Sequence, residues 1–423
     1  MAIGSLGNIL QGTSQTNQGL QAAQAMMSAR NQQLMQAGGG APVKPPAGSL
    51  ILHDSFDPGS PPPELGLMPP PFQSKVTAQS PHGEQVRHAA QADGFSGPGI
   101  EHMQMDNPDY HNLDVAEARL TGGPLSKEDA RQALNYYMAS DASSLLNDQA
   151  RALNENADQG VTNSVSNLSL GTSKASIVEN LYATPFGILK SKDPEQVRMA
   201  ENMIKNQATA FELDSSKLLS EDPKVHGPER QLLQQGLIDR TSHVIDTSTT
   251  VASARANFDK AVDRFEGQNN SVVIAAGNEG QVRERLEAMN HGLPLKTPAD
   301  FSKNVLENDA VTSVGATRWR EKDGELSESR ARYSSNSEGV DIYASGSLGF
   351  QDSTKAETFG TSVAAPRVAA AMTELHKLNP SMSSSQVESL MKQRLTHSLN
   401  TGNGDIQVLD YSKNFEFLKN GRY

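Results

Sequence analysis

The 423-residue chain carries 37 Lys and Arg against 49 Asp and Glu, a formal charge of −12, and this acidic balance argues against a nucleic-acid backbone as the main partner. It has no cysteine, which removes disulfides, thiolate chemistry and Cys-based zinc sites. No apolar run approaches the length of a transmembrane helix, and the length suits one large domain with insertions, or two domains.

Residues 1–47 are rich in Gln, Asn, Gly, Ser and Ala and run through Gly38-Gly39-Gly40 to Pro45-Pro46. So few large apolar side chains cannot offset the entropy of ordering, and a disordered leader is expected. The first basic residue is Arg30 and no apolar stretch follows a charged start, so no secretory signal peptide is read. The polar, acid-free composition is similar to that of the export signals of bacterial type III secreted effectors. The expected location is therefore outside the cell by a route without a cleavable signal, or the cytoplasm.

Order begins at Ser49-Leu50-Ile51-Leu52-His53-Asp54, a short apolar run that reads as a buried strand. Asp54 closes it, at the end where α/β sheets place ligand and catalytic groups, and Asp57 is a rival for the same role. His53-Asp54 would also suit a metal-dependent phosphohydrolase, but no further His and Asp follow at ligand spacing. Residues 58–71, PGSPPPELGLMPPP, read as a stiff surface connection. A helix is expected from His82 to Ala92 with Val86, Ala89 and Ala90 inward, then a strand at 99–105. Ser126-Lys127-Glu128-Asp129 resembles a capping box opening a helix, and a second helix is expected near Ala142–Asn156.

A strand is read within 161–171, ending in Asn167-Leu168-Ser169-Leu170-Gly171. Residues 172 to about 250 are polar, charged and helix-forming, and 251–265 form another helix with Ala254, Phe258 and Val262 on one stripe. Ser271-Val272-Val273-Ile274-Ala275 is a buried strand running into Ala276-Gly277-Asn278. Strands follow at 310–317 and 340–346. Phe359-Gly360-Thr361-Ser362 opens a helix of small residues, with Val363, Ala365, Val368, Ala369 and Met372 on an apolar face. A serine in the first turn has an unpaired backbone N–H beside it and the positive end of the helix dipole, which suits a nucleophile. The helix stops at Asn379-Pro380, and Ser383 with Gln386 caps a last one through about Arg394.

In this order the motifs resemble those of the subtilisin-like serine proteases. Gly360-Thr361-Ser362-Val363-Ala364-Ala365-Pro366 is similar to the nucleophile motif, Ala276-Gly277-Asn278 to the oxyanion motif, and His82-Gly83-x-x-Val86 to the histidine motif. Asp54-Ser55 resembles the acid motif, and Asn167 to Gly171 the substrate strand. Phe56, Glu84, Gln85 and Ser345 depart from the family's pattern.

The resemblance implies Ser362 as nucleophile, His82 as base, Asp54 as its partner and Asn278 in the oxyanion hole, with the Asn167–Gly171 strand an exposed edge whose Ser169, Leu170 and Gly171 pair with the substrate as an added strand. It implies a three-layer α/β/α fold with a mostly parallel central sheet over 48–400, carrying a helical insertion at about 172–250 and a C-terminal extension at 401–423. The expected partner is a protein or peptide substrate, with the chain acting as a monomer and without a membrane span. No metal or other cofactor is implied by the residues; calcium is common in the family, but no ligand loop for it is recognisable. The departures motivate a rival reading, a catalytically impaired relative used as a binding module, and the Gln-rich leader suggests a remoter one, a secreted structural protein.

Overall fold

The computed structural model describes residues 47–54, 82–92, 100–104, 110–322, 325–335, 339–350, 353–402 and 404–410. The expected leader, Asp57, the proline-rich loop and the end of the chain from residue 411 lie outside the described residues. The first elements are β1 (Leu50–Asp54), α1 (His82–Ala92), β2 (Ile100–Gln104), α2 (Tyr110–Gly122), α3 (Lys127–Asp158) and β3 (Val165–Leu168). A helical stretch follows with α4 (Lys174–Ile188), α5 (Pro194–Phe211), α6 (Ser215–Leu218), α7 (Pro223–Thr247) and α8 (Thr249–Glu266). Then come β4 (Ser271–Ala275), α9 (Val282–Met289), β5 (Thr312–Lys322), β6 (Glu325–Arg330), β7 (Ile342–Ser345), β8 (Ser347–Phe350) and β9 (Ser353–Phe359). The last elements are α10 (Thr361–Leu378), α11 (Ser384–Arg394), β10 (Thr396–Asn400) and β11 (Asp405–Leu409).

Among the described residues nine strands form one sheet in the order β10-β11-β7-β5-β4-β3-β1-β2, with β6 paired to β5, while β8 and β9 form a separate hairpin. From β11 to β2 every neighbouring pair is parallel; the β10–β11 and β5–β6 pairs are antiparallel. Apolar residues occupy both faces of the central strands, as a parallel sheet covered on both sides requires. Leu50 and Leu52 of β1, with Val273, Ala275, Val314 and Ala316, pack against α1, α10 and α11. Ile51, Leu168, Val272 and Ile274 face the other way, onto the second half of α3 and α8. The result is the expected three-layer, mostly parallel architecture.

Two expectations need correcting. The helices read at 126 onward and at 142–156 are one continuous helix, α3, capped by Ser126, whose side chain accepts from the Asp129 N–H. Its first half, Ala130 to Met138, belongs to a core shared with α2, α4, α5 and α7, while Ala142 to Ala157 belongs to the core beneath the sheet. The apolar stripe changes partner at the polar Ser140-Asp141, which looks like a break but is buried. β3 is no edge strand: it is paired on both sides, with β1 and with β4. Only Ser169, Leu170 and Gly171, running on past its end, lie beyond that pairing.

Residues 172–250 are helical, as read. Capping explains where each helix starts: Ser173 and Ser176 form a reciprocal capping box for α4, and Asp193, Asp214 and Asp222 cap α5, α6 and α7. With α2 and the first half of α3 they enclose a second helical core around Tyr182, Leu181 and Leu237. β11, beyond residue 400, enters the main sheet between β10 and β7. The Ser383–Gln386 capping box of α11 forms as expected.

Candidate active site

In a parallel sheet the loops that leave the strands' carboxyl ends gather along one edge, and ligand sites collect there. Asp54 is the last residue of β1 and is completely buried. α1 opens with His82, whose Nδ1 lies 2.8 Å from each oxygen of the Asp54 carboxylate. A carboxylate only accepts, so Nδ1 carries the proton and Nε2 is left with its lone pair. α1 is fixed by Val86 and Ala90, which pack in the core shared with Ala364, Ala365 and Val368 of α10, and by Ala89 against Val363. Two of the residues that depart from the family pattern are used here: Glu84 pairs with Arg87 one turn on, and Gln85 accepts a hydrogen bond of 3.0 Å from the Thr358 hydroxyl.

Ser362 is the second residue of α10 and nearly buried. A Cβ added to Gly360 would lie 2.8 Å from Ser362 Oγ and 3.4 Å from Asn278 Nδ2, so hydroxyl and amide nitrogen flank a single point. Asn278 is exposed, yet its amide is oriented: Oδ1 accepts from the Thr361 N–H at 2.9 Å and from the Thr361 hydroxyl at 3.3 Å. That hydroxyl in turn accepts from the Gly277 N–H at 3.1 Å. With Oδ1 committed to Thr361, Nδ2 is the donor left facing the Ser362 side. Gly277 has φ +106°, and a Cβ there would sit 2.2 Å from Glu279 Oε2, so the loop needs glycine. Burial pushes the Glu279 carboxyl up to about 7, with the Glu179 charge adding to it against the loop's own N–H groups.

Ser169 is buried rather than open to solvent. Its hydroxyl accepts from Asn167 Nδ2 at 2.8 Å and donates to the Ser362 carbonyl at 3.2 Å. Pro366, four residues after Ser362 in α10, has no N–H to offer that carbonyl, and Ser169 supplies the missing donor. Leu170 is half-buried and Gly171 exposed. A Cβ at Gly171 would lie 2.3 Å from the Asn304 amide nitrogen, which donates to the Ala275 carbonyl at 2.6 Å.

The structure thus brings Asp54 to His82, and Asn278 to Ser362 and Thr361, on packed neighbouring helices and loops. Among the described residues no hydrogen bond joins the His82 ring to Ser362 Oγ, and no group of three or more His, Asp or Glu is placed to hold a metal ion. The neighbouring His53 is fully buried, its Nε2 3.2 Å from both Ser166 Oγ and the Asn156 amide. Burial, with Arg151 adding to it, lowers its pKa to about 3 and keeps it neutral. Sequence reasoning missed Thr361 as an orienting group; its adjacency to Ser362 was the available signal.

A serine on a buried helix, an oriented amide and an acid-paired imidazole thus stand along the carboxyl edge of a parallel sheet. The model of the subtilase family matches residues 132–410, and the chain belongs to that family. The match takes in Asn278 and Ser362 and begins after Asp54 and His82. No match was found among curated proteins. Solved structures similar to the chain include a protease from Pseudoalteromonas arctica, at 19% identity and TM-score 0.25, covering 38% of this chain and 47% of that one. A lanthipeptide protease is similar at 12% identity and TM-score 0.38 over 88% of this chain and 90% of that one. A cold adapted subtilisin-like serine proteinase gives 13% identity and TM-score 0.35 over 86% and 88%. The chain spans about half the length of the first of these.

Proposed function

We propose that the chain is an endopeptidase in which Ser362 attacks the carbonyl carbon of a peptide bond. His82 Nε2 takes the hydroxyl proton and later gives it to the leaving amine, while Asp54 holds the imidazole tautomer and stabilises the imidazolium. The tetrahedral oxyanion is received by Asn278 Nδ2 and the Ser362 N–H, an arrangement that stabilises charge only as it develops. The backbone of Ser169, Leu170 and Gly171 takes the substrate as an added strand, with the Ser169 side chain turned inward to serve Ser362. Glu84 and Gln85 do not argue for a binding module, because each has a structural partner within α1 or across to Thr358.

The observation that carries the reading is the Asp54–His82 contact of 2.8 Å to both carboxylate oxygens, which leaves Nε2 as the base, on a helix packed against the one that bears Ser362. A fluorophosphonate probe tests it. Wild type should label covalently, and Ser362→Ala and His82→Ala should not. A folded wild type that fails to label, and fails to cleave a peptide library read by mass spectrometry, would leave the binding-module reading in its place.

A further inference from the structure

Away from the carboxyl edge, two imidazoles meet. His226 stands in the first turns of α7 and is buried, while His291 follows α9 and is exposed. Their Nε2 atoms are 2.7 Å apart. The ring centroids are 4.9 Å apart with planes tilted by 33°, so the nitrogens meet rather than the ring faces. His226 Nδ1 lies 2.8 Å from the Ser220 carbonyl oxygen. A carbonyl only accepts, so Nδ1 carries the proton and the neutral ring presents a bare lone pair from Nε2 towards His291. An imidazole oriented in this way by a backbone carbonyl is set up as a metal ligand.

His291 is placed by the end of α9: its N–H donates to the Ala288 carbonyl and the Gly292 N–H to the Glu287 carbonyl, so its left-handed φ of +65° is that of a helix-terminating turn. Gly227, one residue after His226, lies beside the same ring: a Cβ there would meet His291 Cδ2 at 3.4 Å, an ordinary contact. The two histidines are 65 positions apart and join the start of α7 to the segment that follows Asn278 and α9.

We propose that His226 and His291 bind one borderline transition-metal ion, of the Zn2+ or Ni2+ kind, through their two Nε2 atoms, with water completing the shell and the proton that His291 Nε2 donates to His226 moving to its own Nδ1. Zinc–nitrogen bonds of about 2.0–2.1 Å in tetrahedral geometry place two ligating nitrogens roughly 3.3 Å apart, a small outward shift for the exposed His291 ring. Two neutral imidazoles favour such ions over Mg2+ or Ca2+, which prefer oxygen ligands. Among the described residues no set of three protein ligands forms, so the ion is held by two side chains and exchanges with solvent. Because it binds only the folded chain, it clamps α7 to the α9 segment and raises stability in proportion to its occupancy.

The test titrates the chelator-stripped full chain with ZnCl2, and separately with NiCl2, following heat of binding and thermal unfolding. The expected result is saturable uptake of one ion per chain, with an unfolding midpoint that rises and levels off as the site fills. His291→Gln, whose ring is exposed, should fold normally and lose at least tenfold in affinity, and His226→Gln should do the same if it folds. His397→Gln, altering a histidine paired with Glu328, should leave uptake unchanged. Absence of saturable uptake, or uptake preserved in His291→Gln, would overturn the proposal and leave the pair sharing only a proton.

Discussion

Asn278 is exposed, so its direction has to be imposed by neighbours rather than by packing. Thr361 imposes it through two donors to Oδ1, and the same hydroxyl holds the Gly277 N–H. Asn278→Ala should lower kcat by about 10²–10³, the magnitude known from subtilisin, while leaving unfolding unchanged. Thr361→Val removes one of the two donors and frees the Gly277 N–H, so a smaller loss, about tenfold, is expected in kcat with KM little moved. Thr361→Ser should restore most of it; if Val and Ser variants behave alike, the hydroxyl does not orient the amide. Asp54, His82, Asn278 and Ser362 could be singled out as candidates because each sits in a short local motif. The role of Thr361 was not, since it depends on a hydrogen bond spanning 83 positions.

At the scale of elements, α10 contains a proline where an uninterrupted helix would have a donor for the Ser362 carbonyl, and β3 delivers Ser169 to that carbonyl. Ser169→Ala should destabilise the fold by about 1–3 kcal/mol, the cost of stranding a buried acceptor. Pro366→Ala returns an N–H to the helix, so adding it to Ser169→Ala should recover part of that loss. Denaturant unfolding of the single and double variants measures the coupling, and strict additivity would show that the two residues do not serve one carbonyl. The strands and helices flanking these motifs were readable because buried parallel strands are short apolar runs and capped helices announce their starts. α2, α9 and the β5–β6, β8–β9 and β10–β11 pairs were not read: α9 has no side-chain cap, and hairpin pairing is a matter of partners rather than of composition. The continuity of α3 was hidden for the opposite reason, since Ser140 to Ser144 disfavour helix locally and burial between two cores overrides that preference.

For the molecule as a whole, two sets of buried ionisable groups pull stability in opposite directions with pH. Burial lowers His53 to about 3 and His376 to about 4, from an ordinary 6.5. Both stay neutral when folded, so their contribution is complete above about 6.5 and is lost as pH falls towards 4 and below. Burial raises Asp141 to about 6 and Glu117, Glu266 and Glu279 to about 7. These favour the folded state while protonated, fully so below their unfolded values near 4, and that advantage disappears as pH rises through 6 and 7. Between pH 6.5 and 8 the unfolded histidines lose their remaining charge, a gain smaller than the loss from three glutamates, so the carboxyl groups set the sign of the slope, reinforced by self-repulsion in a chain of charge −12. Unfolding free energy should therefore decline from pH 6.5 to 8, by on the order of 1 kcal/mol for each half-buried glutamate. Glu279→Gln keeps the side chain's shape while removing its titration, and should flatten part of that slope. Urea unfolding at pH 6.5, 7.2 and 8 of wild type and Glu279→Gln decides it: parallel curves, or a wild type steadier at pH 8, would mean that the carboxyl group beside the Asn278 loop is already ionised in the folded chain.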